Sequence, residues 1–242
     1  MSALDKETIV GKLVFLFLKL LIVFLILSIG AVLFYRFVPV FYTPLMVIRH
    51  VQSGDSAATI DHTWVPLDHI SEYVPLALAA GEDAHFLEHG GFDTEAILAA
   101  MKHNGESESL RGASTISQQT AKNVFLYPSR SFVRKGLEAY FTLLIETAWS
   151  KRRIMEVYLN SIEFGPGIYG VEAAAMHYYG CHASQLTRAQ AASLAAIVPA
   201  PLSRNPLRPD GRTIRHRNRI RRDMSYLESH GFSLRLPPNT EK

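Results

Sequence analysis

The densest chemical cluster in the chain is Glu82-Asp83-Ala84-His85-Phe86-Leu87-Glu88-His89-Gly90-Gly91-Phe92-Asp93. It follows an apolar run, so ionisable groups crowd the end of a helix that packing alone would keep apolar. A carboxylate desolvated there has its pKa raised toward that of a general base. A solvated helix end accounts for the same residues without any chemistry. The segment also contains His85-x-x-Glu88-His89, the H-x-x-E-H pattern of inverzincins. On a helix, histidines four apart face one way and could share a zinc, with Glu88 as base. That reading needs a third ligand from downstream.

Three further clusters follow. Residues 112–123 place Ser114, Thr115, Gln118, Gln119 and Lys122 around a helix N-terminus. Free N–H groups at such an end bind phosphate or sugar hydroxyls, although capping alone would explain the residues. Arg134 and Lys135 stand one helical turn before Glu138, at i,i+4 and i,i+3, as in an ion-pair network. Residues 151–160 alternate charged and apolar groups like a half-buried helix and read as mainly structural.

These clusters lie on elements that read almost wholly as helix. Pro75 suits a first helical position, and its apolar run leads through Glu82 and Asp83 to Phe86. Asp93 can cap a helix ending near Asn104-Gly105, Thr115 and Gln118 have capping-box spacing, and Ser131 opens a long amphipathic run. Ser150 caps 151–160, Thr187 and Gln190 form a second capping box, and a last helix covers 213–229. Residues 105–112 and 164–170 are expected as flexible breaks. The fold class is mainly α, with a single lysozyme-like helical domain implied by the resemblance below.

Ahead of this domain, residues 13–35 are apolar apart from Lys19, Ser28 and Gly30, long enough to span a bilayer. A signal peptide competes, but the run exceeds the usual h-region and no clear small-x-small site follows. Lysines before the span favour a cytoplasmic N-terminus only weakly. The expected division is a cytoplasmic segment 1–12, a transmembrane helix 13–36, an interfacial stalk 37–60 and a catalytic domain 61–242. Residues 37–48, broken by Pro39 and Pro44, either lie in the interface or dock on the domain. The chain has 242 residues and one cysteine, which excludes an intrachain disulfide and a zinc site of paired cysteines. Charge is uneven: residues 54–108 hold eleven carboxylates against Lys102, and residues 204–222 hold eight arginines against Asp210. Acidic and basic blocks in one domain suit carboxylate chemistry on an anionic ligand, although plain surface charge would do as well.

The clusters in this order resemble the peptidoglycan glycosyltransferases, the family shared with the N-terminal domain of bifunctional penicillin-binding proteins. The family patterns E-D-x-x-F-x-x-H-x-G-F-D, G-x-S-T-[IL]-[ST]-Q-Q-x-x-K-N, R-K-x-x-E and K-x-x-I-x-E-x-Y-L-N fall on residues 82–93, 112–123, 134–138 and 151–160. A fifth, G-x-x-G-x-x-x-A-x-x-x-Y-[FY]-G, falls on 167–180 with Tyr179 in place of the usual Phe, and Cys181 follows instead of a commoner lysine. The likeness covers about residues 62–225, and no S-x-x-K or K-T-G of a transpeptidase is present. It implies a monofunctional enzyme that polymerises lipid II into β-1,4 glycan by inversion, releasing undecaprenyl diphosphate. By the same resemblance Glu82 is the base and Glu138 the second catalytic carboxylate. Asp83, Phe86 and His89 shape the acceptor site. Ser114, Thr115, Gln118, Gln119, Lys122, Arg134 and Lys135 bind substrate. No cofactor is required, and a divalent cation such as Mg2+ near the diphosphate is left open. The implied partners are lipid II, the nascent glycan strand, the membrane, and cell-wall synthesis or division proteins, with no nucleic acid. The catalytic domain would lie on the periplasmic side of the inner membrane. The 204–222 arginines are expected to bind anionic lipid or to hold the last helix by ion pairs.

Overall fold

The computed structural model describes residues 3–52, 59–106, 114–129 and 131–234. It divides into two compact units, 1–38 and 39–242. The first is helix α1, Ala3–Tyr35, of which Gly11–Tyr35 is 25 residues long with mean hydropathy 2.9. At about 1.5 Å per residue this exceeds the roughly 30 Å of a hydrocarbon core. It is the one helix among the described residues that is long and apolar enough to cross a membrane.

The second unit is mainly helical: α2 (Pro44–Gln52), α3 (Tyr73–Glu82), α4 (Thr94–Glu106), α5 (Ile116–Phe125), α6 (Phe132–Ala148), α7 (Lys151–Ser161), α8 (Val171–Tyr179), α9 (Arg188–Ile197) and α10 (Gly211–Ser229). Helix α3 is apolar on every side, Val74 to Ala80 all being buried, because it is enclosed by α9 and α10. Helix α5 packs on α6 and α7, with Phe125 stacked on Phe141 at 4.6 Å between ring centres. The expected caps at Thr115, Ser131, Ser150 and Thr187 all form. Asp93 Oδ1 accepts from the Ala96 amide at 2.8 Å, and Asp210 caps α10.

Several expectations need correction. Pro75 is the third residue of α3 and not the first, which is tolerated because the first turn has no internal acceptors for its N–H groups. The same helix stops at Glu82 and does not run on to Phe86. Asp83 leaves helical geometry at φ −161°, and residues 84–91 form turns and bends. Residues 164–170 are not a loose break. Strands β2 (Glu163–Gly165) and β3 (Ile168–Tyr169) pair antiparallel there, and β1 (Asp61–His62) joins β3 in parallel, giving the order β1-β3-β2. Strands of two or three residues are too short to show alternation. The break expected at 105–112 lies largely outside the described residues. Residues 39–52 belong to the second unit, where Val40 and Met46 are fully buried and α2 packs on α5.

The 151–160 cluster is mainly structural, as its pattern suggests. Buried Asn160 donates from Nδ2 to the Val65 carbonyl and accepts the Val65 amide, each at 2.9 Å. Glu156 accepts the Leu67 amide at 2.9 Å. These bonds satisfy the backbone of the extended segment leading into α3.

Candidate functional site

The site forms where the end of α3, held by α9 and α10, meets α5, held by α6 and α7. Glu82 is the last residue of α3, and Gln119 on α5 reaches across to it, Nε2 donating to Glu82 Oε2 at 2.9 Å. The Gln119 carbonyl in turn accepts from the hydroxyl of fully buried Tyr158 at 3.3 Å, which fixes which end of the amide faces the acid. Burial raises the pKa of Glu82. The Gln119 hydrogen bond and the charges of Lys122, Arg204 and Arg219 work against that rise. Burial, with Glu82 and Asp83 nearby, pushes the Tyr158 phenol well up, so it remains a donor at neutral pH.

Asp83 faces inward, 6% exposed, and accepts from His89 Nε2 at 2.9 Å and from the Ile116 amide at 2.9 Å. His89 Nδ1 accepts from the Gly91 amide at 3.0 Å, so Nε2 carries the proton that it donates to Asp83. Gly91 has φ +95°, and a Cβ there would stand 2.8 Å from Thr142 Cγ2 and Glu146 Cγ, so only glycine fits without displacing α6. Lys151 closes the loop from behind. Its Nζ donates to the His89 carbonyl at 2.6 Å and to Glu146 at 2.8 Å, and lies 4.7 Å from the centre of the buried Phe86 ring. Ser117 also hydrogen-bonds Glu146.

On the α5–α6 side, Glu138 is only 3% exposed and is paired by Arg134, Nη1 to Oε2 at 2.8 Å, and by Lys135. Burial lowers the Lys122 pKa, and Glu138 and Glu82 both pull it back up, so Lys122 sits in the field of both carboxylates. A cavity of about 530 Å³ opens beside these residues. Gln119, Lys122 and Arg134 line it from one side, and Val198, Pro199 and Pro201 of the α9–α10 connection line it too. Arg49 and Glu163, an ion pair at 3.9 Å, complete it.

The structure thus brings together Glu82, Gln119 and Lys122, and separately Arg134, Lys135 and Glu138, with Lys122 coupling the two groups. Thr115 and Gln118 are buried and face each other in the capping box. The Thr115 hydroxyl also donates to the Gly91 carbonyl at 2.7 Å. Asp83, Phe86 and His89 lie inside the loop that follows Glu82, whereas Ser114 is exposed ahead of α5. Tyr158, Glu146, Arg204 and Arg219 were not singled out individually by sequence reasoning. Tyr158 stands in the 151–160 pattern, but nothing in its spacing points to Gln119.

The inverzincin reading is overturned. Residues 85–89 are turns and not a helix, His89 uses both nitrogens in hydrogen bonds, and His85 is exposed. No group of three or more His, Cys, Asp or Glu among the described residues could hold a metal ion.

A family model described as "Transglycosylase" matches residues 50–225. Curated relatives named "Biosynthetic peptidoglycan transglycosylase" include one from Caulobacter vibrioides, 58% identical over 78% of this chain and 82% of its own. Another from Bacteroides thetaiotaomicron is 52% identical over 86% of this chain and 85% of its own. A third from Bdellovibrio bacteriovorus is 52% identical over 84% and 82%.

Proposed function

The chain belongs to the transglycosylase family, and from that premise we propose that it polymerises lipid II into linear β-1,4 glycan strands of peptidoglycan by inverting glycosyl transfer. The observation that carries this reading is one cavity lined by Gln119, Lys122 and Arg134, with Gln119 hydrogen-bonded to Glu82 and Arg134 paired with Glu138. A base at one end of a cationic run and a leaving-group clamp at the other is what the reaction needs.

In the step, the Glu82 carboxylate takes the proton from the 4-hydroxyl of an incoming lipid II. The freed oxygen attacks the anomeric carbon of the growing strand from the face opposite its diphosphate. The carbon–oxygen bond to the diphosphate breaks, and undecaprenyl diphosphate leaves with both bonding electrons. An α-linked donor thereby gives a β-1,4 bond, and Glu82 returns its proton to water. Burial makes Glu82 a stronger base than an exposed carboxylate, while Gln119 and Lys122 keep its ionised form accessible. Arg134, Lys135 and Lys122 offset the charge that develops on the diphosphate, and Glu138 holds the first two in place. Asp83, His89 and Lys151 hold the loop that follows the base and act as positioning residues.

Helix α1 supplies a reason for this substrate. A polyprenyl tail keeps its diphosphate at a bilayer surface, and a chain anchored through Gly11–Tyr35 would work there with its catalytic unit on the periplasmic side. The test is product analysis of the detergent-solubilised full chain with lipid II and no added zinc. Uncrosslinked glycan that a muramidase cuts to disaccharides is expected. Glu82→Gln should abolish it while circular dichroism stays unchanged, and polymerisation by that variant at the wild-type rate would remove Glu82 as the base. Short muropeptides released from finished wall would mark a lytic enzyme instead.

A further inference from the structure

The clamp described above serves one diphosphate, yet two substrates each carry one. In the reaction proposed above, the acceptor presents its 4-hydroxyl to Glu82 while its own diphosphate lies one disaccharide further away. It therefore needs cations distinct from Arg134 and Lys135. Helix α10 carries such a set. Arg212, Arg215, Arg219 and Arg222 recur at i, i+3, i+7 and i+10, which places them on one face, and all four are exposed. Thr213, Ile220, Met224 and Leu227 form the helix's buried face, centred about 130° round the helix from the arginines. Among the described residues none of the four makes an ion pair, even with Asp223 one turn beyond Arg219. Asp210 is spent capping the helix, accepting the Thr213 amide at 2.7 Å, and Glu228 pairs with Arg188. Like charges three and four apart cost a helix a few tenths of a kcal/mol per pair, so the stripe does not serve helix stability.

The stripe passes the base at Arg219. Ile220 Cδ1 lies 3.2 Å from where a Cβ on Gly81 would stand, so α10 abuts the last turn of α3, and the charges of Arg219 and Arg204 reach Glu82. At about 1.5 Å per residue the four arginines extend about 15 Å along the helix. We propose that this face of α10 binds the diphosphate of the incoming lipid II, separately from the clamp at Lys122, Arg134 and Lys135. The proposal rests on the polymerase reading above. Guanidinium forks match phosphate oxygens in pairs, which suits a diphosphate.

The test is a one-round extension by the full chain in uncharged detergent. A fluorescent polyprenyl diphosphate bearing two disaccharide units is the donor, and lipid II is the varied acceptor. The triple variant Arg212→Gln, Arg215→Gln, Arg222→Gln, which leaves Arg219 beside Glu82 in place, should raise the acceptor KM about tenfold or more. It should leave kcat and the donor KM within about twofold and flatten the dependence of acceptor KM on salt. Single Arg215→Gln and Arg222→Gln variants, on the exposed face, should give smaller rises without change in melting temperature. An unchanged acceptor KM overturns the proposal. So does an effect confined to bilayers containing phosphatidylglycerol, which would assign the stripe to phospholipid headgroups. Wild-type protein that extends no donor at all refutes the polymerase reading, and the proposal with it.

Discussion

Replacing Gln119 by Leu removes the one side-chain hydrogen bond among the described residues that stabilises the ionised form of Glu82, while keeping nearly the same volume. The bond is 2.9 Å long and joins an amide to a part-buried carboxylate. Hydrogen bonds to charged groups contribute about 1.5–3 kcal/mol. Because the site opens on a cavity, the lower end applies, and about 1.4 kcal/mol is a factor of ten in a proton equilibrium. Glu82 then holds its proton to higher pH, in the direction burial already drives it. The acid limb of kcat/KM should move up by about one pH unit, leaving the rate on the high-pH plateau reduced much less than at pH 6. The assay is the initial rate of glycan formation between pH 5 and 9 at constant ionic strength. Tyr158→Phe, which frees the Gln119 carbonyl without touching Glu82, should move the limb in the same direction by less. A limb that stays in place in Gln119→Leu, with only the plateau lowered, would refute this account of how Glu82 is tuned.

Two further outcomes concern stability. Burial raises the Glu82 pKa, so the folded state binds that proton more tightly than the unfolded chain. Stability from this group is full below the ordinary carboxylate range and is lost as pH rises through the folded pKa. Glu82→Gln should therefore melt at a higher temperature than wild type at pH 7.5, with the gap closing as pH falls below the ordinary carboxylate range. An equal melting temperature at pH 7.5 would contradict a desolvated carboxylate. Gly91→Ala forces a side chain onto φ +95° and drives its Cβ against Thr142 and Glu146. Strain of about 2 kcal/mol should lower the melting temperature by at least about 4 °C, and displacing Glu146 should loosen Lys151 and cut activity. Unchanged calorimetry would show that the loop relaxes freely.

Much of this protein is legible in its residues because the signals are local. Caps at Thr115, Ser131, Ser150 and Thr187 depend on bonds spanning three residues, and each forms where the spacing places it. The pairing of Arg134 and Lys135 with Glu138 follows from helical periodicity in the same way. A span as apolar as residues 13–35 needs no tertiary information either. The limits appear where a local pattern has two readings. His85, Glu88 and His89 have zinc-ligand spacing only on a helix, and Asp83 ends that helix because its carboxylate is captured by the Ile116 amide, far along the chain.

The sequence by itself therefore determined the capped helices, the anchor-like first helix and the roster of ionisable groups. Only the tertiary structure decided which of them share a site. Gln119 is 37 residues from Glu82, and Tyr158 is 39 residues from Gln119. Arg219 reaches the same carboxylate from the last helix. Those proximities arise because α3 buries its whole surface against α9 and α10 and ends against α5. No spacing rule encodes that, since the packing of apolar faces sets which helix ends converge while periodicity sets only which residues each face carries.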